Sequence, residues 1–82
     1  MNERQVRERV LEILSGLAPE VDVHALSPDV RIRDQIDVDS MDFLNFLIAV
    51  DAEIGVDIPE ADYSRLTTLK SIYEYLAERL AV

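Results

Sequence analysis

The sequence predicts an all-α protein: a four-helix bundle of three longer helices and one short third helix, with a long loop between helices one and two. Three observations carry that prediction. Apolar residues recur at helical spacing in three separate stretches, no stretch shows the strict alternation of a strand, and the glycines and prolines punctuate the periodic stretches. Helices this short need a shared core, so antiparallel neighbours are expected where the loops are short.

Helix one is expected from about Asn2 to Ser15. Val6, Val10, Ile13, Leu14 and Leu17 make one apolar stripe, while Arg4, Arg7, Glu8, Arg9 and Glu12 fall on other faces. Gly16 suits a helix end, and Pro19 opposes continuation. A solvated face accounts for the arginines.

Leu17 to Val38 reads as a long connection containing the turn-like run Ser27-Pro28-Asp29. Val21, Val23, Leu26, Val30, Ile32 and Ile36 are expected to pin it across the bundle, with a single helical turn near Arg31–Gln35. Loops of this length are often functional, and this one delivers the chain to Ser40. His24, the only histidine, reads as an ordinary loop residue, because no serine and carboxylate accompany it as a catalytic base would require.

Helix two is expected from Ser40 to about Ile54, ended by Gly55. Asp39 has the side chain of an N-cap, able to accept from the free N–H groups of the first turn. Asp42, three residues on, is placed to reach back as the Glu of a capping box does. The apolar positions (Met41, Phe43, Leu44, Phe46, Leu47, Ile48, Val50, Ile54) form a wider band than a surface helix needs. Phe43, Leu47, Val50 and Ile54 are assigned to the core. Met41, Leu44 and Ile48 are surplus to it, on a strip that starts beside Ser40.

Ile58-Pro59 closes a short loop, and Glu60-Ala61-Asp62-Tyr63 reads as the short third helix with acids at its N-terminal end. Tyr63 and Leu66 are expected to pack inward. The last helix should start with Thr67 or Thr68 as its cap and run to about Leu80, carried by Leu69, Ile72, Tyr73, Leu76 and Leu80.

With 82 residues the chain is long enough for one small domain, 1–82, and half of its residues are hydrophobic, enough for a thin core. Without cysteine it has no disulfide, thiolate metal site or thiol nucleophile, which fits a reducing compartment. No apolar run approaches a membrane span and the polar start Met1-Asn2-Glu3-Arg4-Gln5 is no signal peptide, so a cytoplasmic protein is expected. The formal charge of −9 is concentrated late in the chain. Between Asp34 and Asp62 stand nine acids and no Lys, Arg or His. Nucleic-acid binding needs the opposite sign and is excluded; such a field attracts basic partners.

No catalytic set is visible. Ser40 has only acids for local company, whereas covalent catalysis needs a base in reach. Gly16 and Gly55 cannot build a phosphate loop. Asp34, Asp37 and Asp39 are spaced three then two but lack the glycine and closing Glu of a calcium loop, so no dedicated metal site is expected. Ser40 itself admits two accounts. Serine near a helix start is common, yet its hydroxyl also lies beside the positive end of the helix dipole, where an attached phosphate would be favoured.

Asp39-Ser40-Met41, aspartate–serine–large aliphatic at the start of a long apolar helix in a small acidic domain, resembles the acyl carrier protein family. Val56-Asp57-Ile58-Pro59-Glu60 is similar to that family's segment after the second helix. Leu66-Thr67-Thr68-Leu69, followed by Ile72, Tyr73 and Leu76, is similar to its entry into the last helix. The likeness runs from about Val30 to Leu80.

The resemblance implies a non-catalytic carrier. A phosphopantetheinyl transferase would attach 4'-phosphopantetheine from coenzyme A to Ser40, beside the capping Asp39, and the thiol of the arm would hold an acyl group as a thioester. Partners would be acyl-loading and acyl-processing enzymes with basic docking patches, meeting a monomer through Asp39, Asp42, Asp51 and Glu53 in weak, salt-sensitive encounters. Met41 and Leu44 would serve as an exposed apolar contact, or Leu44 and Ile48 as a lip over the acyl chain. Common fatty-acid carriers have glycine where this chain has Asp37 and often leucine where it has Met41. Their second helix is also more acidic than one bearing Asn45, Ala49 and Ala52. Fatty-acid, polyketide and aminoacyl or peptidyl cargo therefore all stay open. The reading from another class is an unmodified acidic helical adaptor.

Overall fold

The computed structural model describes residues 1–80, and its regular elements are all helices, with one isolated antiparallel bridge between Arg31 and Thr68. Helix α1 spans Glu3–Leu17, a 3₁₀ turn covers Val23–Ala25, and α2 is a single turn, Ile32–Gln35. Helix α3 spans Ser40–Ile54, a 3₁₀ segment covers Glu60–Arg65, and α4 spans Leu69–Leu80. The second long helix expected from the sequence is α3. Helix α1 packs against both α3 and α4.

Each long helix begins at a side-chain cap. Asn2 accepts from Gln5 N (2.8 Å) while the Gln5 side chain accepts from Asn2 N (2.9 Å), a complete capping box. Asp39 Oδ1 accepts from Asp42 N at 2.8 Å, but the return bond expected from Asp42 is absent, its carboxylate being one methylene shorter than that of Glu. Of the two threonines offered as a cap for α4, Thr68 takes the role: its Oγ1 accepts from Ser71 N at 3.0 Å, and Ser71 Oγ accepts from Thr68 N at 3.2 Å.

Two expected boundaries move. Helix α1 runs through Gly16 and closes with Ala18 N donating to Leu14 O, because Gly16 keeps an ordinary negative φ and Pro19 supplies the stop. Gly55 does end α3, in the left-handed region at φ 79° where a side chain would be strained. The short third helix is a 3₁₀ segment, closed by bonds such as Asp62 N to Pro59 O. Pro59 has no side chain with which to cap an α-helix, and the segment is only six residues long.

Val6, Val10 and Leu14 from α1, Phe43, Phe46, Leu47 and Val50 from α3, and Leu69, Ile72, Tyr75 and Leu76 from α4 are buried together. Leu11 is buried as well, while Ile13, Leu17 and Ile54 lie half-buried at the edge. The aromatic face of α4 is wider than expected. Tyr73 packs half-buried against the core edge, under the Arg7 guanidinium, and Tyr75, outside the expected stripe, is the fully buried ring.

The long connection is pinned, by fewer anchors than expected. Val23, Ile32 and Ile36 are buried, Val21 and Leu26 half-buried, and Val30 is exposed. Polar groups complete the fastening. The Gln35 amide donates to the carbonyls of Ser27 and Val30 and accepts from Ser27 N, each at 2.8–2.9 Å. Ile32 N donates to Thr67 O at 2.9 Å and Lys70 N to Pro28 O at 3.0 Å, tying the connection to the start of α4.

Candidate functional site

Ser40 is the first residue of α3 and is exposed. Asp39 takes up the Asp42 N–H, and Phe43 N donates to Asp39 O at 3.0 Å, so the turn beneath Ser40 is fixed by side chain and backbone alike. The hydroxyl makes no hydrogen bond to another described residue, consistent with a group open to a reactant from outside.

A cavity of about 560 Å³ reaches from Ser40 into the groove between α3, α2 and the 3₁₀ segment. Val38, Phe43, Leu44 and Leu47 line it with carbon. Tyr63, Ser64 and Thr67 contribute on another side, and Arg31, Arg33 and Asp34 bring charge from α2 and its N-cap. The size falls within the usual range for small-molecule pockets.

The positions singled out from the sequence separate into three groups. Leu44, half-buried, lines the cavity together with Ser40. Met41 and Ile48 stand on the outer surface of α3, 61% and 49% exposed, and neither lines the cavity. With Asn45 and Ala52, both exposed, they make an uncharged outer face. The carboxylates divide as well. Asp42 is half-buried. Asp51 Oδ2 accepts from Ile58 N at 2.9 Å and thereby holds the turn after Gly55. Glu53, exposed, stands 3.9 Å from Arg9 on α1.

Sequence order also hid the cations. Ser40 has only acids as chain neighbours, yet Arg31 and Arg33 line the same cavity. Arg31 holds Asp34 with two bonds, Nε at 2.9 Å and Nη2 at 3.1 Å, and that carboxylate raises the guanidinium's already high pKa. Tyr63, Ser64 and Thr67 were missed because the cavity wall is assembled from separate segments, and no periodicity in one segment reports a neighbour in another.

The opposite side of the 3₁₀ segment is closed. Asp62 Oδ2 accepts from Tyr75 Oη at 2.7 Å and from Arg79 Nη2 at 3.3 Å, and Arg65 stands 3.7 Å from Oδ1. The tyrosine hydroxyl, with the two arginines adding to it, holds the Asp62 carboxyl below the usual carboxylate range. Burial, followed by the Asp62 hydrogen bond, raises the Tyr75 phenol. Arg79 lies over the Tyr75 ring, 4.2 Å from its centre. His24, far from Ser40 in sequence, has Nε2 3.3 Å from Glu8 Oε2 and takes no part in the cavity. Among the described residues no His, Cys, Asp or Glu group is arranged to hold a metal, and no helix is long and apolar enough to cross a membrane.

Residues 8–76 match the family model described as a phosphopantetheine attachment site. The chain is 29% identical over 80 residues to an acyl carrier protein of Streptomyces coelicolor, covering 98% of this chain and 87% of that one. It is 30% identical over 80 residues to polyketide-8 synthase acyl carrier protein 2 of Streptomyces avermitilis, covering 98% and 86%. An acyl carrier protein of Thermosynechococcus vestitus is 25% identical over 81 residues, covering 99% of both chains.

Proposed function

The chain belongs to the family that carries a phosphopantetheine attachment site, as a non-catalytic carrier protein, and we propose that Ser40 is the attachment residue and that the cargo is an acyl group. One observation carries this reading: an exposed serine hydroxyl on a capped helix start opens directly onto a cavity lined with carbon. Nearly full-length likeness to proteins named as acyl carrier proteins supports the acyl reading. The likeness to a polyketide synthase carrier supports polyketide or related enzymes beside those of fatty-acid synthesis.

The residues around Ser40 suit the group. Its Oγ would supply the ester oxygen, and a phosphate attached there would be favoured by the positive end of α3. The arm supplies a terminal thiol that holds the acyl group as a thioester. Asp39 holds the first turn so that Ser40 stays outward. Leu44, Phe43 and Leu47 offer the acyl chain a surface out of water. Met41 and Ile48 give partner enzymes an uncharged contact on α3, with Asp39 and Asp42 at its N-terminal end to meet a basic rim. Asp51 and Glu53, already engaged with Ile58 N and near Arg9, contribute less to docking.

The test is intact mass after incubation with coenzyme A and a broad-specificity phosphopantetheinyl transferase, wild type beside Ser40→Ala. Gain of one phosphopantetheinyl group by wild type alone is expected. No gain with several transferases would replace the carrier with an unmodified helical adaptor that uses the Met41–Ile48 face.

A further inference from the structure

We propose that the cavity beside Ser40 is built for an acyl chain bearing acceptor oxygens, an oxoacyl or hydroxyacyl group, in preference to a plain alkyl chain of the same length. The inference rests on the carrier reading and adds the chemical class of the cargo.

Its basis is the inventory of donors and acceptors. Tyr63, Ser64 and Thr67 line the cavity, and none of their hydroxyls bonds another described residue. Nearby hydroxyls of the same chain behave differently: Thr68 and Ser71 are consumed in the cap of α4, and Tyr75 in its bond to Asp62. The cations divide in the same way. Arg31 is engaged by both oxygens of Asp34, whereas Arg33 has no ion-pair partner among the described residues. Asp34, the only carboxylate lining the cavity, is therefore already matched. What is left over is three hydroxyls, each able to donate or accept, and a guanidinium fork; Tyr63 and Thr67 are half-buried, Ser64 and Arg33 exposed.

An alkyl chain lying along the cavity displaces water from the half-buried Tyr63 and Thr67 hydroxyls and returns nothing, while the exposed Ser64 and Arg33 keep theirs. A carbonyl or hydroxyl oxygen on the chain accepts from these groups, while its methylenes lie on Val38, Phe43, Leu44 and Leu47. Leaving a desolvated donor unmatched is the larger penalty of the two, so a site of this composition discriminates against the chain lacking oxygen.

The experiment loads full-length protein by transferase from octanoyl-coenzyme A or from 5-oxooctanoyl-coenzyme A, the oxo group being remote enough to leave the thioester's reactivity alone. Thioester cleavage by neutral hydroxylamine is followed by mass and divided by the rate for the same acyl group on free pantetheine. Backbone amide shifts of Leu44, Tyr63 and Thr67 are recorded alongside. The oxo chain is expected to be protected roughly 2- to 10-fold more than the alkyl chain, the effect of about one net hydrogen bond. Tyr63→Phe with Thr67→Val, and separately Arg33→Gln, should narrow the gap between the two chains, lowering protection of the oxo chain and, for the Tyr63 and Thr67 pair, raising that of octanoyl. Equal protection of both chains, or better protection of octanoyl, on protein that has gained the group overturns the inference and leaves the carrier reading standing. Failure to gain either group removes both.

Discussion

The two sides of the six-residue segment Glu60–Arg65 use the same chemistry to opposite ends. Toward α4, Asp62 gathers the Tyr75 hydroxyl and two guanidinium groups, and every partner is committed. Toward α3, Tyr63 and Ser64 present hydroxyls that no described residue takes up, beside an Arg33 with no ion-pair partner among the described residues and an exposed Ser40. One side anchors the segment so that the other can be left open. Substitutions should therefore trade places across it, harming stability on the α4 side and function on the α3 side.

The sharpest form of that contrast is Ser40→Ala. Coenzyme A-dependent mass gain should vanish completely while the thermal midpoint stays where it is, since the side chain is exposed and makes no hydrogen bond to another described residue. A large fall in the midpoint would show Ser40 to be structural and dissolve the division. Leucines on the two sides provide the next test. Leu76, fully buried on α4, should lose about 2–5 kcal/mol in denaturant unfolding when cut to Ala. Leu44→Ala, half-buried at the cavity, should lose only about 1 kcal/mol while weakening acyl protection from hydroxylamine. Equal losses would mean that the cavity wall is core.

Much of this division was legible in the sequence, and the remainder was hidden for a physical reason. Helical spacing located three long helices because each has a buried stripe, and Asp39 marked the start of α3 because a cap is a local interaction between residues three apart. Helical spacing brings out Tyr73, which packs at the core edge, but not the buried Tyr75, whose hydroxyl is matched by Asp62, thirteen residues earlier. Apolarity makes Val30 look like an anchor, whereas Gln35 holds that stretch through three bonds that no pattern of apolar residues announces. The cavity around Ser40 was legible only where it is made by α3. Arg33 and Thr67 reach it through tertiary placement, with Ile32 N bonded to Thr67 O drawing the two segments together.

Asp39→Ala tests whether the open side depends on its cap. Loss of the side-chain bond to Asp42 N should lower stability by about 1 kcal/mol in denaturant unfolding. Asp39→Asn, which preserves an acceptor, should restore most of it. If the Asn variant is as unstable as the Ala variant, charge at the helix start matters more than the hydrogen bond.

The smallest effect, and the most selective, belongs to Tyr75→Phe. It removes the hydroxyl that most strongly lowers the Asp62 carboxyl while keeping the buried ring. A folded-state value below the unfolded one means that ionised Asp62 stabilises the fold above the unfolded carboxyl range, about pH 4, and that this contribution disappears as pH falls through the folded value. The Tyr75 phenol moves the other way. Raised by burial and by Asp62, it favours the fold up to its ordinary value near 10 and loses that contribution as pH rises through the folded value. The gap between wild-type and Phe melting midpoints should therefore be widest across the neutral range and close from both ends, below about pH 4 and above about pH 10. A gap that keeps its size down to pH 3 would assign the effect to packing of the ring edge. In that case the anchored side of the segment would rest on shape rather than charge, and the contrast with the open side would be one of packing alone.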